Sequence, residues 1–259
     1  MYAERVLQKG LRTQVFGNKI YTFDTIDSTN NCAKAVADIG ASEGTVVIAE
    51  EQTAGRGRLG RPWFSPPSQN LTFSIVLRPQ LNNEVLNLLP LYTAVAVAEA
   101  IERTTSLKVE CKWPNDLLIN KKKVGGILIE GSFKNGKIEY AVIGVGINVN
   151  LDVFPPDLSE KASSLRIELN AEVDRARLFQ EILRSLERHY RRTLKKGFQS
   201  VVPEWITHSS MLGKTITVSQ HGNALSGIVK GLSQDGGLLL QTNGTVMTLF
   251  AGDISVLES

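Results

Sequence analysis

The sequence predicts a two-domain chain, with an α/β domain built on a mixed sheet followed by a small all-β domain. Its 259 residues are enough for about two domains at roughly 150 residues each. Strand-like and helix-like segments are interspersed as far as about residue 209. From Met211 onward only short β segments separated by Gly-rich turns remain. We therefore expect one domain over residues 1–210 and a second over residues 211–259.

The composition is that of a folded globular protein. Hydrophobic residues make up 42% and charged residues 21% of the chain, and the net charge of +3 is too small for a bulk nucleic-acid binder. No uninterrupted run of ~18 apolar residues predicts a membrane span, and the polar N-terminus has no apolar core of a secretory signal. The two cysteines, Cys32 and Cys111, suggest neither a disulfide framework nor a metal site. We expect a cytoplasmic enzyme or binding protein without a membrane partner.

The first half of the chain alternates between strands and helices. Hydrophobic periodicity predicts helices over residues 29–39 and 85–104. Alternating or β-branched runs predict strands over 20–26, 45–50, 71–77, 108–113, 116–120, 124–130 and 137–149. The Asn135-Gly136 pair predicts a hairpin turn between the last two of these strands. Residues 52–70 are nearly devoid of aliphatic side chains and predict a long, functional loop.

The second half of the chain continues with a loop, two helices and a β module. Two prolines and several serines predict a loop over residues 151–170, and a 3–4 spacing of apolar residues predicts a helix over 175–196. A second helical stretch runs to about Ser209. The β segments after Met211 span about 48 residues, a size that suits an SH3-like barrel.

The first candidate site is the segment Asp27-Ser28-Thr29-Asn30 at a strand-to-helix junction. Ser or Thr at this point typically caps the helix by accepting a backbone N–H. The same small polar side chains can instead project into a pocket above the strand ends and bind a neutral polar ligand. The two interpretations are compatible, and both stay open at this point.

The second candidate is the segment from Glu51 to Ser65, in which glycines and arginines alternate. Glycine permits close backbone approach, and guanidinium groups with backbone N–H groups make a site for phosphate or carboxylate. The GxxxxGK[ST] pattern of a Walker A loop is absent. A solvated basic loop and an RNA-binding RG tract are the alternatives, but a single tract between two strands favours the anion site.

The third candidate is Cys111-Lys112-Trp113-Pro114-Asn115-Asp116. Proline ends a strand because it cannot donate to the ladder, which leaves Lys112 at a strand end. Lys112 is either a surface lysine or, if it points inward, a compact cation for an anionic centre. Asn115 and Asp116 are suited to orienting it, to capping the turn, or to holding Mg²⁺ in part through water.

The fourth candidate is Gly144-Val145-Gly146-Ile147-Asn148. It resembles a dinucleotide-binding fingerprint only superficially, because the third glycine is missing and no helix follows. One interpretation is a buried strand narrowed by two glycines. The other is a floor on which a flat ligand ring lies, with Asn148 as a hydrogen-bonding group.

Taken together, these motifs resemble those of the biotin protein ligases in order and spacing. The segments DSTN, QTAGRGRLGRPWFS, KWPND with VGGILIE behind it, and GVGINV carry the resemblance, which extends from residue 20 through the small β domain. The resemblance implies a catalytic domain like that of class II aminoacyl-tRNA synthetases and an SH3-like C-terminal domain. It implies synthesis of biotinyl-5′-AMP from biotin and ATP with Mg²⁺. It also implies transfer of biotin to a lysine of the biotin carboxyl carrier protein of acetyl-CoA carboxylase.

The resemblance also implies roles for individual residues. Lys112 and Arg58 become the catalytic cations at the biotin carboxylate and the α-phosphate. The implied biotin site comprises Ser28, Thr29, Asn30, Gln52, Gly55, Arg56, Gly57, Arg58, Lys112 and Gly126. The implied nucleotide site comprises Arg58, Arg61, Trp63, Asn115 and Asn148, with Asp116 as a candidate Mg²⁺ ligand. Leu59 departs from some bacterial members, which have a second arginine there.

Two further expectations concern partners. About 20 residues precede the first strand, too few for the helix-turn-helix domain of bifunctional members, so the chain resembles monofunctional ligases and we expect no DNA binding. An exposed sheet edge near residues 137–149 would allow pairing with a second copy or with the carrier. The rival functions are a lipoate or octanoate transferase, which would need an apolar slot, and a biotin-sensing regulator without turnover.

Overall fold

The computed structural model describes residues 4–78, 85–135, 137–220 and 223–256. Its helices are α1 (Glu4–Gln8), α2 (Thr29–Asp38), α3 (Val85–Thr105), α4 (Leu165–Leu169), α5 (Arg175–Lys196) and α6 (Val201–Thr207). The strands of the first part are β1 (Ile20–Ile26), β2 (Val46–Gln52), β3 (Leu71–Leu77), β4 (Glu110–Lys112), β5 (Asp116–Ile119), β6 (Lys122–Lys134) and β7 (Lys137–Ile147). Those of the second part are β8 (Thr215–Gln220), β9 (Asn223–Leu232), β10 (Leu238–Thr242), β11 (Thr245–Leu249) and β12 (Asp253–Val256).

The first seven strands form one mixed sheet, in the order β1-β2-β3-β7-β6-β5-β4. Strands β1 and β2 run parallel, and every other neighbouring pair is antiparallel. The predicted α/β class with a mixed sheet is therefore confirmed. The predicted free edge near residues 137–149 is wrong, because β7 lies inside the sheet. It pairs with β6 on one side and, over Ala141–Ile147, with β3 on the other.

Helices α3 and α5 cover one face of this sheet and bury its apolar side chains. The rings of Phe73 on β3 and Phe179 on α5 meet edge to face at 5.3 Å, and Tyr92 of α3 donates to the carbonyl of Leu186 at 2.7 Å. Within the described residues, only Val85–Thr105 is long and apolar enough to cross a membrane, and 72% of its most apolar window is buried. Its apolar character follows from its position between the sheet and α5.

The last five strands form a second, antiparallel sheet in the order β11-β10-β9-β8-β12. This is the predicted SH3-like domain. It packs against the β4–β5 turn, where Trp113 is buried, donates from its indole to the carbonyl of Gly236 at 3.1 Å, and contacts Met211. The exact boundary between residues 210 and 211 stays a prediction.

Several local expectations differ from the structure. The predicted loop over residues 151–170 contains α4, because Ser164 caps that helix by accepting from the backbone of Ile167 at 3.1 Å. The loop over 52–70 includes a single 3₁₀ turn at Arg58–Gly60. The strand predicted over 108–113 is limited to β4. Gly136 of the predicted hairpin turn lies outside the described residues.

Candidate functional site

A cavity of about 260 Å³ lies where the motifs converge. Its walls come from the start of α2, the end of β2, the glycine- and arginine-rich loop, the β4–β5 turn, and strands β6 and β7. Asp253 of the second sheet also lines it. The structure brings together Ser28, Thr29, Asn30, Gln52, Arg56, Gly57, Arg58, Arg61, Trp63, Asn115, Asp116, Gly126 and Asn148 of the predicted residues. Lys112 and Gly55 are the two predicted residues that do not line it.

One end of the cavity is neutral and polar. Gln52, at the end of β2, accepts with Oε1 from the backbone N–H of Thr29 at 2.8 Å and from its hydroxyl at 3.0 Å. Ser28 caps α2, accepting from the backbone of Asn31 at 3.5 Å. The helix cap of the Asp27–Asn30 segment is therefore confirmed, and its residues Ser28, Thr29 and Asn30 also line the cavity, where binding of a polar ligand stays a prediction.

Behind this polar end, Glu130 of β6 gathers three donors. Asn30 donates to it at 2.7 Å, Lys34 at 2.9 Å and Arg56 at 3.2 Å. Partial burial disfavours the carboxylate, but these donors outweigh burial and hold the pKa of Glu130 below its usual value. Ser74 of β3, which is fully buried, contacts Asn30 from the other side. The side chain of Arg56 is therefore committed to an ion pair within the protein.

The glycine- and arginine-rich loop is closed on itself and rests on the second sheet. The backbone of Gly57 donates to the carbonyl of Arg61 at 2.7 Å, and Arg61 forms an ion pair with Asp253. Arg58 contacts Asn115 Oδ1 at 3.5 Å and the carbonyl of Gly252 at 3.4 Å. Burial lowers the pKa of Arg58 from its ordinary value.

Leu59, at the tip of this loop, stands apart from the cavity. Its side chain is 75% exposed, and its backbone adopts a left-handed conformation with φ of 56°. Gly55, by contrast, has a packing role, because its carbonyl accepts from the backbone of Trp63 at 2.9 Å. A Cβ at Gly55 would lie 3.0 Å from the Gln52 amide nitrogen.

The lysine in the cavity is Lys123, not Lys112. Lys112 lies on the edge strand β4, one strand further out than Asp116, and it does not reach the cavity. Lys123 lines the cavity, with Nζ 2.5 Å from Asp116 Oδ1 and 5.7 Å from the centre of the Trp63 ring. Its backbone is held by the carbonyl of Lys161 and the N–H of Ser163, both at 2.9 Å. The expected placement of Lys112 at the anionic centre is therefore wrong.

Trp63 covers the floor formed by the glycines of β6 and β7. A Cβ on Gly146 would lie 2.5 Å from the indole, and one on Gly126 would lie 3.3 Å from it. Asn30 covers Gly144 in the same way, at 2.3 Å from a hypothetical Cβ. The ring that lies on the predicted glycine floor is therefore the indole of Trp63, a side chain of the protein itself. The indole N–H is buried without a hydrogen-bond partner among the described groups, a state that costs about 1–3 kcal/mol unless a ligand accepts from it.

Metal-binding groups are sparse in this site. Within the described ranges, no group of three or more His, Cys, Asp or Glu side chains could hold a metal ion. Asp116 is engaged with Lys123. Asn148 lines the cavity, but its amide nitrogen donates to the carbonyl of Ser163 at 3.0 Å. A single carboxylate together with ligand phosphates is nevertheless a set that Mg²⁺ accepts.

Sequence reasoning missed three charged residues of the site. Lys123 was hidden in the Lys121-Lys122-Lys123 run, which predicts a turn; its position at the start of β6, three residues before Gly126, is the available signal. Glu130 is the only acidic residue of VGGILIE, a polar position in an apolar run. Asp253 carried no signal, because it comes from the other domain.

The fold and the site together define a class of enzyme. Residues 22–148 match the model of the Biotin/lipoate A/B protein ligase family, and residues 211–257 match the Biotin protein ligase C terminal domain. The protein is thus a ligase of the class that these models describe. More narrowly, the chain belongs to the biotin protein ligase family.

Relatives and solved structures agree with this assignment. The chain is 35% identical over 256 residues to the bifunctional ligase/repressor BirA of Bacillus subtilis, covering 98% of this chain and 79% of that protein. It is 32% identical to the biotin–[acetyl-CoA-carboxylase] ligase of Paracoccus denitrificans, over 83% of this chain and 91% of that one. The biotin protein ligase of Aquifex aeolicus in complex with biotin and ATP superposes with a TM-score of 0.81 at 29% identity, covering 93% of this chain and all of that one.

Proposed function

We propose that this enzyme joins biotin to ATP to make biotinyl-5′-AMP and then transfers biotin to a lysine of a biotin carboxyl carrier protein. The observation that carries the proposal is the single cavity in which a neutral polar end adjoins a cationic centre. The bicyclic ureido ring of biotin needs a neutral polar site. The biotin carboxylate and the ATP phosphate need a cationic centre that holds them together. The match to biotin protein ligases supports the same reaction.

The biotin ring occupies the end formed by Ser28, Thr29 and Gln52. This end offers hydroxyl and amide groups rather than an apolar slot, which favours a ureido ring over the aliphatic chain of lipoate or octanoate. Gly57 and Gly126 leave space beside it, since neither brings a side chain into the cavity. The carboxylate tail then points toward Lys123 and Arg58.

Lys123 and Arg58 stabilise the first chemical step. A carboxylate oxygen of biotin attacks the α-phosphorus of ATP, a new P–O bond forms, and the bond to pyrophosphate breaks. The carboxylate is ionised at pH 7, so the step requires no general base. It requires two anions to be held together, for which positioning contributes roughly 7–11 kcal/mol and fixed cations stabilise the developing charge.

The nucleotide lies toward Arg61, Trp63, Asn115 and Asn148. The buried, unpartnered indole N–H of Trp63 suits a ligand acceptor, and Arg61 suits the outer phosphates once it leaves Asp253. Mg²⁺ accompanies ATP as a substrate ion, held mainly by the phosphates and water, with Asp116 as the nearest carboxylate. The metal neutralises phosphate charge; the side chains named here bind and orient the nucleotide.

The second step needs the neutral amine of the carrier lysine, against a reference pKa of about 10.4. The amine attacks the acyl carbon of the mixed anhydride, an amide bond forms, and AMP leaves. Asp116 is the carboxylate nearest to Lys123, and we assign it the role of receiving the proton of the incoming amine. The reaction and its carrier belong to the cytoplasm.

A blot with streptavidin tests the proposal. The purified chain is incubated with ATP, Mg²⁺, biotin and a biotin carboxyl carrier domain, and the acceptor lysine is replaced by arginine in a control carrier. Labelling of the carrier, lost in the control and without ATP, is expected. Biotin binding without labelling would instead indicate a regulator, and labelling with lipoate or octanoate in place of biotin would indicate the rival transferase.

A further inference from the structure

We propose that Glu130 is a positioning residue that fixes the direction of the hydrogen bonds offered to the ureido ring of biotin. The inference rests on the proposed function, because it concerns the same polar end of the cavity. Glu130 does not itself line the cavity; it acts through Asn30 and Ser74 on the hydroxyl of Thr29.

The first step fixes Asn30. An ionised carboxylate only accepts hydrogen bonds, so Asn30 must turn its amide nitrogen toward Glu130 Oε2, 2.7 Å away. Its carbonyl oxygen Oδ1 then faces the opposite way, toward Ser74 and over Gly144. The two ends of the Asn30 amide have nearly the same shape, so the charge of Glu130 rather than packing decides which end faces Ser74.

The second step fixes Ser74. Its hydroxyl oxygen lies 2.6 Å from Asn30 Oδ1 and 2.8 Å from Thr29 Oγ1, and it has one hydrogen to donate. Asn30 Oδ1 can only accept, so the hydrogen of Ser74 goes to Asn30. Ser74 is fully buried, where an unpaired polar group is costly. Toward Thr29 it can therefore present only a lone pair.

The third step fixes Thr29. Its hydroxyl has one hydrogen, and two protein oxygens require it, namely Ser74 Oγ at 2.8 Å and Gln52 Oε1 at 3.0 Å. Donation toward the cavity would leave both oxygen–oxygen contacts without a hydrogen between them. Thr29 thus faces the cavity as an acceptor. The ureido ring has one N–H group on each side of its carbonyl. An accepting Thr29 hydroxyl binds one of these two N–H groups.

Glu130, at the end of this chain of hydrogen bonds, is held by further side chains. Besides Asn30, Glu130 holds Lys34 of α2 and Arg56 of the glycine- and arginine-rich loop. Arg56 also donates to Asn31 Oδ1 at 2.6 Å. One carboxylate thereby joins β6, α2 and the loop around the ring site, while its charge sets the hydrogen-bond direction.

The test measures discrimination between two nearly isosteric ligands. Calorimetry gives the Kd of biotin and of analogues in which one or the other ring N–H is replaced by an ether oxygen. The wild type should reject the analogue whose oxygen faces Thr29, because two acceptors then meet. In Glu130→Met, Asn30 is free to turn over and Ser74 can donate to Thr29, so only Gln52 Oε1 still draws the Thr29 hydrogen, and donating it to the ligand costs one protein hydrogen bond instead of two. We expect the Kd of the rejected analogue divided by the Kd of biotin to fall roughly tenfold.

Two variants separate this role from a merely structural one. Ser74→Ala removes an oxygen that draws the Thr29 hydrogen away from the cavity, and it should lower the same ratio even if Glu130→Met does not fold. Glu130→Gln can keep an oxygen toward Asn30 and should retain more of the discrimination. The matched control is Glu99→Gln, a carboxylate that binds Arg188 and His189 on α5, and it should leave the ratio unchanged.

The outcomes are distinguishable. If the wild type binds biotin and the ratio stays within about twofold in both Ser74→Ala and the Glu130 variant that folds, the positioning role is overturned and the ligase function stands. If the wild type does not bind biotin at all, the proposed function itself fails.

Discussion

Lys123 and Asp116 form an ion pair, with Nζ 2.5 Å from Oδ1, across the β5–β6 hairpin at the side of the cavity. The pair holds a flexible lysine in place and puts its charge near Trp63, in the cavity that Arg58 also lines. Lys112, by contrast, is on β4, with β5 between it and the strand of Lys123, and it does not line the cavity. The cationic centre is thus assembled from the loop and from β6.

Replacing Lys123 is expected to impair adenylate formation far more than replacing Lys112. Lys123→Ala removes the cation at the reacting carboxylate and should lower the rate of biotin-dependent ATP–pyrophosphate exchange by about 10²–10³-fold. Lys112→Ala is the matched control and should change that rate by no more than a few-fold. Equal losses in the two variants would contradict the assignment of Lys123.

Replacing Arg58 is expected to release the intermediate. Arg58 connects the loop to Asn115 and to the Gly252 carbonyl, so Arg58→Gly should open the loop around the mixed anhydride. The escaped biotinyl-5′-AMP would label lysines of bystander proteins such as serum albumin. Streptavidin blotting with and without the carrier measures the effect, and an unchanged preference for the carrier would argue against retention by this loop.

Adding one methyl group at Gly146 is expected to displace Trp63. The new Cβ would lie 2.5 Å from the indole, which must move, so Gly146→Ala should weaken ATP binding and destabilise the fold by about 1–3 kcal/mol. Indole fluorescence and nucleotide titration measure the two effects. Gly131→Ala, on the neighbouring strand β6, is the control: its new Cβ would lie 3.2 Å from the end of the Leu86 side chain, and ATP binding should stay intact.

The pH dependence of stability is expected to depend on Glu99. Hydrogen bonding to His189 lowers the pKa of Glu99 to about 2 from its ordinary value of 4.5. A carboxylate with a lowered pKa in the folded state contributes stability that is present above pH 4.5 and is lost as the pH falls toward 2. Glu99→Gln should therefore be less stable than the wild type near neutral pH, and the difference should shrink below pH 4.5. Urea midpoints measured from pH 7 to 3 give the comparison, and a constant difference would refute it.

Local patterns predicted much of the fold and many of the site residues. Hydrophobic period and turn residues reflect which side chains of a segment are buried, so they predict local structure directly. They did so for the strand over residues 20–26, the helix over 175–196 and the short β segments after Met211. The Ser28–Asn30 segment and the loop around Arg58 were recognisable for the same reason. Each is a contiguous run, and its combination of residue types is typical of a ligand-binding segment.

What escaped prediction depends on contacts between distant segments. The order of strands placed β7 in the interior, and that order depends on which distant segments pair rather than on the pattern of β7 alone. The position of Lys123 before Gly126 is only a weak local signal, and the pairing of β4, β5 and β6 decides which lysine is carried to the cavity.

The amino-acid sequence alone determined the class of fold, the polar and cationic character of the site, and the resemblance to biotin protein ligases. Only the tertiary structure selected Lys123, seated Trp63 on Gly146, and joined Glu130 to Asn30 across 100 positions of the chain. The physical reason is that residue type and periodicity describe what a segment can do, whereas the direction of a hydrogen bond or the reach of a charge depends on which segments fold against each other.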